Sequence, residues 1–207
     1  MIGPRTAVHK LSGLLLPGFF DSHNHLLMTG LGMLAPSLAD CRSIADVLAV
    51  VQAAATHGQD GDWIVPSPAW HESSLAEARM PTAEELDTVS AGRPVFMRRG
   101  GHHVVLNTHA LRLLDVERTS AGEEGATVVR RADGLPTGHI VGTAYVGRLA
   151  ARLPAIPAER KRQALATAGR AYARAGITSV VEPGLAPEDV ELVRGSAPMG
   201  SCGSGCG

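Results

Sequence analysis

Two histidines separated by one residue, His23 and His25, are the side chains whose spacing most directly indicates chemistry. They follow an apolar run, Leu14–Leu16, a Pro-Gly bend and Asp21. Side chains two apart on a strand point to the same face, so both imidazoles could chelate one divalent ion. A bare His-X-His is often only a polar strand end, but the preceding strand and bend favour a metal site. Imidazole pairs suit Zn²⁺ and also accept Fe, Mn or Ni, and zinc is the ion we expect.

Five further polar residues follow the later predicted strands and are weighed as candidates for the same rim. Arg98 and Arg99 could hold a substrate carboxylate or carbonyl through a bidentate contact, although paired arginines more commonly form surface salt bridges. His102 is weighed equally as a substrate contact and as a loop histidine, and for its neighbour His103 the loop interpretation is favoured. Glu182 is a further candidate metal ligand, or the hydrogen-bond acceptor of a metal-bound histidine, or an ordinary strand-end carboxylate.

The sequence predicts strands that alternate with helices, and these elements must position the candidate site residues. Four β-prone runs are bounded by Gly, Pro or polar residues: Leu14–Leu16, Asp62–Val65, Pro94–Met97 and Ile177–Glu182. Strands that alternate with helices pair in parallel through crossovers, so we expect at least three of these strands in one parallel sheet. No glycine-rich phosphate loop follows any strand, which favours a (β/α) barrel over a nucleotide-binding sheet.

Local signals place the helices and one hairpin. Three residues can cap the helices that follow them: Ser43, Thr82 and Asn107. Glu85 completes a capping box, and a long helix over Pro157–Ala175 is closed by Gly176. Residues 126–141 contain two short β-prone runs around Ala132-Asp133-Gly134, which predicts an inserted hairpin.

The composition narrows the class of protein. Of 207 residues, 44% are hydrophobic and 19% charged, and the net charge is -1, so no global field attracts nucleic acid or an anionic membrane. The apolar run Leu14–Phe20 is too short to span a bilayer, and three cysteines cannot form a disulfide framework. These features favour a cytoplasmic protein with a small-molecule substrate. The Gly- and Ser-rich residues 195–207, which contain Cys202 and Cys206, are expected to be a disordered tail rather than a metal site.

The segment from Leu16 to His25 resembles the signature that ends the first barrel strand of the amidohydrolase superfamily. Further stretches resemble the branch that includes N-substituted formamide deformylases, also called amidohydrolase family 3. Those stretches are Pro81–Asp87, Arg93–Arg99, Gly101-His102, Asn107 with Ala110-Leu111, Gly134–Gly138 and Gly176–Val180. The resemblance implies a distorted TIM barrel with a small β-sandwich, one or two metal ions, and hydrolysis of an amide by metal-activated water.

The same resemblance implies that much of the family's domain is absent from this chain. We therefore expect an α/β fold that is a partial TIM-type barrel, roughly its first half, over residues 14–194, with residues 1–13 as a remnant of the β-sandwich. The family's other ligands, and its catalytic base, are expected beyond residue 207. One alternative is accordingly an inactive fragment of such an enzyme. A binding or regulatory module is a third and less favoured interpretation. An incomplete barrel would expose strand edges, so a homo-oligomer is a further expectation.

Overall fold

The computed structural model describes residues 3–59, 61–116 and 125–195, which form a mixed α/β structure with two separate sheets. The helices are α1 (Leu26–Met33), α2 (Ile44–His57), α3 (Ala83–Asp87), α4 (Thr108–Leu113), α5 (Thr143–Ala150), α6 (Ala158–Arg174) and α7 (Pro187–Gly195). The strands are β1 (Phe19–Asp21), β2 (Phe96–Arg99), β3 (His103–Leu106), β4 (Thr127–Arg130), β5 (Pro136–Val141) and β6 (Ile177–Val180).

The first sheet is a parallel pair of β1 and β6, two strands that lie far apart in the sequence. Helix α6 leads into β6 through Gly176, whose φ of +79° is the left-handed conformation that glycine adopts without strain. Helix α1 packs across α6, and a Cβ at Gly30 would collide with the backbone carbonyl of Ala164. This close contact fixes the segment that follows β1.

The second sheet is antiparallel, in the order β2-β3-β5-β4, and it has a core on each face. Met97 and Val105 face the cluster that includes the buried residues of α2, whereas Phe96 and Ile140 pack with α4 and α5. Two-residue alternation along the strands sends neighbouring side chains to opposite cores.

The predicted helix caps are confirmed. The side chains of Ser43, Thr82 and Asn107 each accept a backbone N–H in the first turn of α2, α3 and α4, and Glu85 completes the capping box. The long helix predicted over 157–175 is α6, and the hairpin predicted over 126–141 is the antiparallel pair β4–β5.

The predicted first strand was wrong in its position. Leu14 and Leu15 are 85% and 78% exposed and belong to no strand, and β1 begins only at Phe19. A strand forms where a partner strand can share its hydrogen bonds. Here three residues of β6 pair with the three residues of β1, which limits the strand to Phe19–Asp21. Residues 3–18 contain no helix or strand, so a sandwich remnant over 1–13 stays a prediction.

The expectation of three parallel strands in one sheet was also wrong for the described residues. The predicted second strand is reduced to one parallel bridge between Ile64 and Val95, held by hydrogen bonds of 2.8 and 2.9 Å. The chain reverses after β2 at Gly100, where φ is +58°, and returns as β3, so β2 lies in the antiparallel sheet. The partial TIM barrel therefore stays a prediction.

Two other expectations concern the C-terminal tail and the absence of a membrane span. The disordered tail predicted over 195–207, with Cys202 and Cys206, lies outside the described residues except for Gly195, which ends α7. Across the described ranges, no helix is both long enough and apolar enough to cross a membrane.

Candidate functional site

His23 and His25 lie in the turn that follows β1, not within the strand itself. Their ring centroids are 5.4 Å apart and the ring planes are nearly perpendicular, at 85°. The strand alternation used in the sequence argument therefore does not apply to them. The turn, rather than the pleat of a strand, brings the two imidazoles together.

A hydrogen-bond network around Asp21 holds this turn. Its carboxylate accepts from the backbone N–H of His23 at 3.2 Å and from the side-chain amide of Asn24 at 2.8 Å. These hydrogen bonds, that from Asn24 first, hold the pKa of Asp21 below its ordinary value. The hydroxyl of Tyr172 on α6 donates to the side-chain oxygen Oδ1 of Asn24 at 2.8 Å, and the backbone N–H of Asn24 donates to the carbonyl of Val181. The turn is thus tied to both α6 and the end of β6.

Glu182, just after β6, is the hydrogen-bond partner of His25. Its Oε1 lies 3.0 Å from His25 Nδ1 and also accepts from the backbone N–H of Gly184 at 3.2 Å. An ionised carboxylate oxygen can only accept, so Nδ1 of His25 carries a proton, and in the neutral imidazole Nε2 then has the lone pair. This is the arrangement in which a carboxylate fixes the tautomer of a metal-binding histidine. It places Glu182 beside the candidate ligand, in the acceptor role that the sequence left open.

A cavity of about 220 Å³ opens next to His25 and Glu182. Its other walls are mainly apolar and come from α1 and the β6–α7 region, together with Arg98 and Asp189; the apolar members are Leu27, Met28, Leu31, Leu185 and Ala186. His23 does not line the cavity. It lies next to it through the edge-on ring contact with His25.

Arg98 reaches this cavity from the end of β2, in the other sheet. Its backbone carbonyl accepts from the Trp70 indole at 2.8 Å, which anchors the strand end. Its Nε is shielded from solvent and has no hydrogen-bond partner among the described residues. Burial lowers the pKa of the Arg98 guanidinium.

Arg99 and His102 lie elsewhere. Arg99 donates to both carboxylate oxygens of Glu72, at 2.8 and 2.7 Å. Burial acts most strongly on Glu72 and raises its pKa, but the hydrogen bonds from Arg99 and the backbone, together with nearby positive charge, outweigh burial, so the pKa is lowered. His102 Nδ1 lies 2.6 Å from the hydroxyl of Thr143. Neither Arg99 nor His102 lines the cavity, so their roles in substrate binding stay predictions.

The sequence interpretation missed a pair of stacked histidines, His103 and His139. His103 is not a loop residue, because it begins β3, and its Nδ1 lies 2.9 Å from Nε2 of His139 on β5. Burial, followed by nearby positive charge, lowers the pKa of both rings. No local signal could have found this pair, since it depends on β3 lying beside β5.

The candidate metal ligands, two imidazoles, are of the type that binds a divalent ion such as Zn²⁺, but two are too few for a complete site. Two imidazoles lie together, one with a fixed tautomer, and that is the chemistry that Zn²⁺ and similar ions prefer. Over the described ranges, no three or more His, Cys, Asp or Glu side chains are grouped so as to hold an ion. A complete site would need ligands beyond His23 and His25.

Comparison with known proteins adds three relatives and two solved structures. A model described as the amidohydrolase family matches residues 12–202. The protein LONG AFTER FAR-RED 3 of Arabidopsis thaliana is 28% identical over 88% of the chain and 31% of its own length. The putative amidohydrolase YtcJ of Bacillus subtilis is 29% identical over 65% of the chain and 26% of its length. The N-substituted formamide deformylase of Arthrobacter pascens is 31% identical over 67% of the chain and 26% of its length.

The two structures are described as uncharacterized metal-dependent hydrolases. The one from Pyrococcus horikoshii has a TM-score of 0.56 at 21% identity, over 86% of this chain and 33% of its own. The one from Pyrococcus furiosus has a TM-score of 0.55 at 23% identity, over 86% and 34%. At these levels of identity, the two similarities show a shared fold and nothing further. The chain spans about a third or less of the length of the proteins it matches.

Proposed function

Because this chain belongs to the amidohydrolase family, we propose that it forms part of the active site of a metal-dependent hydrolase that cleaves a non-peptide C–N bond of the amide or formamide type. The observation that carries the proposal is the contact of 3.0 Å between His25 Nδ1 and Glu182. It leaves Nε2 of His25 available as a ligand, next to His23 and beside a cavity. The position, after the two parallel strands β1 and β6, is where barrel hydrolases place their chemistry.

The chain's own residues have distinct tasks in this proposal. His23 and His25 hold a divalent ion, most simply zinc, which when bound supplies a water activated near neutral pH and a Lewis acid for a carbonyl. Glu182 positions His25 and keeps its proton on Nδ1. Asp21 and Asn24 hold the turn that carries both rings.

A C–N bond is favoured as the target because one relative is named for that chemistry. The similarity to the N-substituted formamide deformylase covers 67% of this chain. The runner-up is a catalytically inactive fragment, which is favoured by the two imidazoles standing without a third ligand among the described residues. The small-molecule substrate and the cytoplasmic location are likewise proposals.

Metal binding and turnover test these alternatives on the purified chain. Zn²⁺ titrated into the protein should bind, and a His23→Ala, His25→Ala double variant should lose that binding, whereas His57→Ala should not, because His57 lies exposed at the end of α2. Glu182→Ala should weaken metal affinity about 10- to 100-fold through loss of the positioning contact. Equal zinc binding by the double variant would contradict the ligand assignment.

Turnover is then measured with matched amide and ester substrates of the same acyl group, including N-formyl compounds. With two protein ligands we expect little or no turnover by this chain, and any activity should favour the amide and require both histidines. Metal-dependent ester cleavage without amide cleavage would contradict the C–N assignment. Zinc bound stoichiometrically, with amide turnover abolished in the double variant, would rule out the inactive fragment.

A further inference from the structure

The guanidinium of Arg98 is a charged group in the cavity wall that has no side-chain hydrogen bond or ion pair within the part of the chain that the structure describes. Arg98 is half-buried, and its Nε is shielded from solvent and donates to no acceptor among the described residues. No hydrogen bond or ion pair joins its terminal nitrogens to the described residues either. Buried polar groups are nearly always paired, and an orphan of this kind in a cavity wall calls for an acceptor from a ligand.

The acidic residues of the cavity do not fill that role. Glu182 is engaged by His25 and the N–H of Gly184, and Asp189 forms an ion pair with Lys161 at 2.5 Å. By contrast, the adjacent Arg99 donates from Nε and Nη2 to the two carboxylate oxygens of Glu72. The cavity wall therefore contains a guanidinium whose N–H donors have no acceptor among the described residues.

The remaining walls restrict what that anion could be. Leu27, Leu31 and Leu185 present apolar surface, so a ligand must also carry an apolar group. The carboxylates of Glu182 and Asp189 line the same space, which disfavours a doubly charged phosphate more than a singly charged carboxylate. A planar carboxylate also matches the fork of a guanidinium.

We propose that this site selects amides that carry a carboxylate, with Arg98 binding the carboxylate and the leucine-lined wall binding an apolar side chain. The inference rests on the proposed amide hydrolase and names its substrate class, N-acyl amino acids with an apolar side chain or their close analogues. Arg98 is then the residue that determines specificity, while His25 of the histidine turn lines the same cavity.

Binding of a matched ligand pair tests the inference without any need for turnover. N-acetyl-L-leucine and N-acetyl-L-leucinamide differ only in the carboxylate, and their affinities are measured by calorimetry on the whole chain. The wild type should bind the carboxylate about 10- to 100-fold more tightly, since hydrogen bonds to charged groups are worth that much. Arg98→Gln should abolish the preference and Arg98→Lys should keep part of it.

Two controls keep the result interpretable. Arg162→Gln removes an exposed arginine that pairs with Glu159 on α6, and it should leave the preference unchanged. The urea midpoint of Arg98→Gln should equal or exceed that of the wild type, because the substitution removes a buried donor that lacks a partner. A folded Arg98→Gln protein that retained the preference would overturn the inference, as would equal affinities, or no measurable binding of either ligand, in the wild type.

The inference and the proposed function fail in different ways. An Arg98-dependent preference for the carboxylate in a protein that binds no metal and cleaves no amide would support the inference and contradict the proposed hydrolase. Metal-dependent cleavage of neutral amides, unchanged by Arg98→Gln, would support the hydrolase and overturn the inference.

Discussion

At the scale of single residues, the direction of each candidate's side chain determines whether it reaches the cavity. Arg98 and Arg99 are neighbours on β2, yet one lines the cavity and the other pairs with Glu72. Their opposite fates follow from strand alternation, which sends adjacent side chains to opposite faces of the sheet. Which face meets the histidine turn depends on what packs there, and the pair of residues alone does not contain that information.

The half-buried histidines His103 and His139 predict how stability depends on pH. Both pKa values are lowered in the folded protein, first by burial and then by nearby positive charge, including Arg99 near both rings. The unfolded chain therefore binds more protons over the window between the lowered values and the ordinary value of about 6.5. Their contribution to stability is complete above that ordinary value and is lost as the pH falls through the lowered ones.

Urea unfolding at pH 7.5 and pH 5 measures this contribution. We expect the wild type to lose more stability on acidification than a His103→Gln, His139→Gln double variant. His57→Gln serves as the control, since the exposed His57 should leave the wild-type pH dependence intact. An identical loss in the wild type and the double variant would show that the pair does not titrate differently in the two states.

Among the elements, the contact between α1 and α6 positions the metal-ligand candidates. His25 is the N-terminal cap residue of α1, and Asn24 is held by Tyr172 of α6. The two helices approach closely because Gly30 has no side chain at the point of contact with Ala164. A shift of α1 against α6 would therefore move His25 away from Glu182.

Gly30→Ala should destabilise the protein by about 1 to 3 kcal/mol, because the added methyl group overpacks the contact with α6. Gly169→Ala is the matched substitution on α6, where a Cβ meets nothing within 4 Å, and it should stabilise the helix by about 0.5 to 1 kcal/mol. Urea midpoints of the two variants should therefore move in opposite directions. If Gly30→Ala were neutral, the helices would not be in the contact described.

On the scale of the whole molecule, the N-terminal segment and β1 expose a run of apolar side chains. Its members are Leu11, Leu14, Leu15, Leu16, Phe19 and Phe20, each at least 56% exposed. Apolar surface of this extent is uncommon on monomeric proteins and is associated with interaction or aggregation. The run contrasts with the two-sided core of the antiparallel sheet, where residues such as Phe96 and Val105 are almost fully buried.

Replacing Leu14 and Leu15 by serine should reduce self-association of the purified chain. Light scattering as a function of protein concentration should show smaller assemblies for the double variant, with an unchanged urea midpoint, because neither side chain is packed. Leu113→Ser removes a single half-exposed leucine from α4 and should leave the assembly state as it is. Assemblies of equal size in all three proteins would mean that the apolar run is not the contact surface.

Local interactions explain what the sequence by itself determined. The caps at Ser43, Thr82 and Asn107 join residues three apart, and the β4–β5 hairpin closes over a turn of a few residues. Such contacts need no information from distant parts of the chain. The family signature around His23 and His25 is likewise contained in one continuous segment, and the family it indicated is confirmed by the match over residues 12–202.

Contacts between distant segments were decided only by the tertiary structure. β1 pairs with β6 and His25 meets Glu182 across 157 positions of sequence, and the reversal at Gly100 turned an expected parallel strand into part of an antiparallel sheet. Both faces of this antiparallel sheet are buried, so its apolar strand run has the same residue pattern as a buried strand of a parallel sheet. Strand partners, and with them the placement of Arg98 in the cavity, are fixed by how the packed layers fit together rather than by the residues of any one strand.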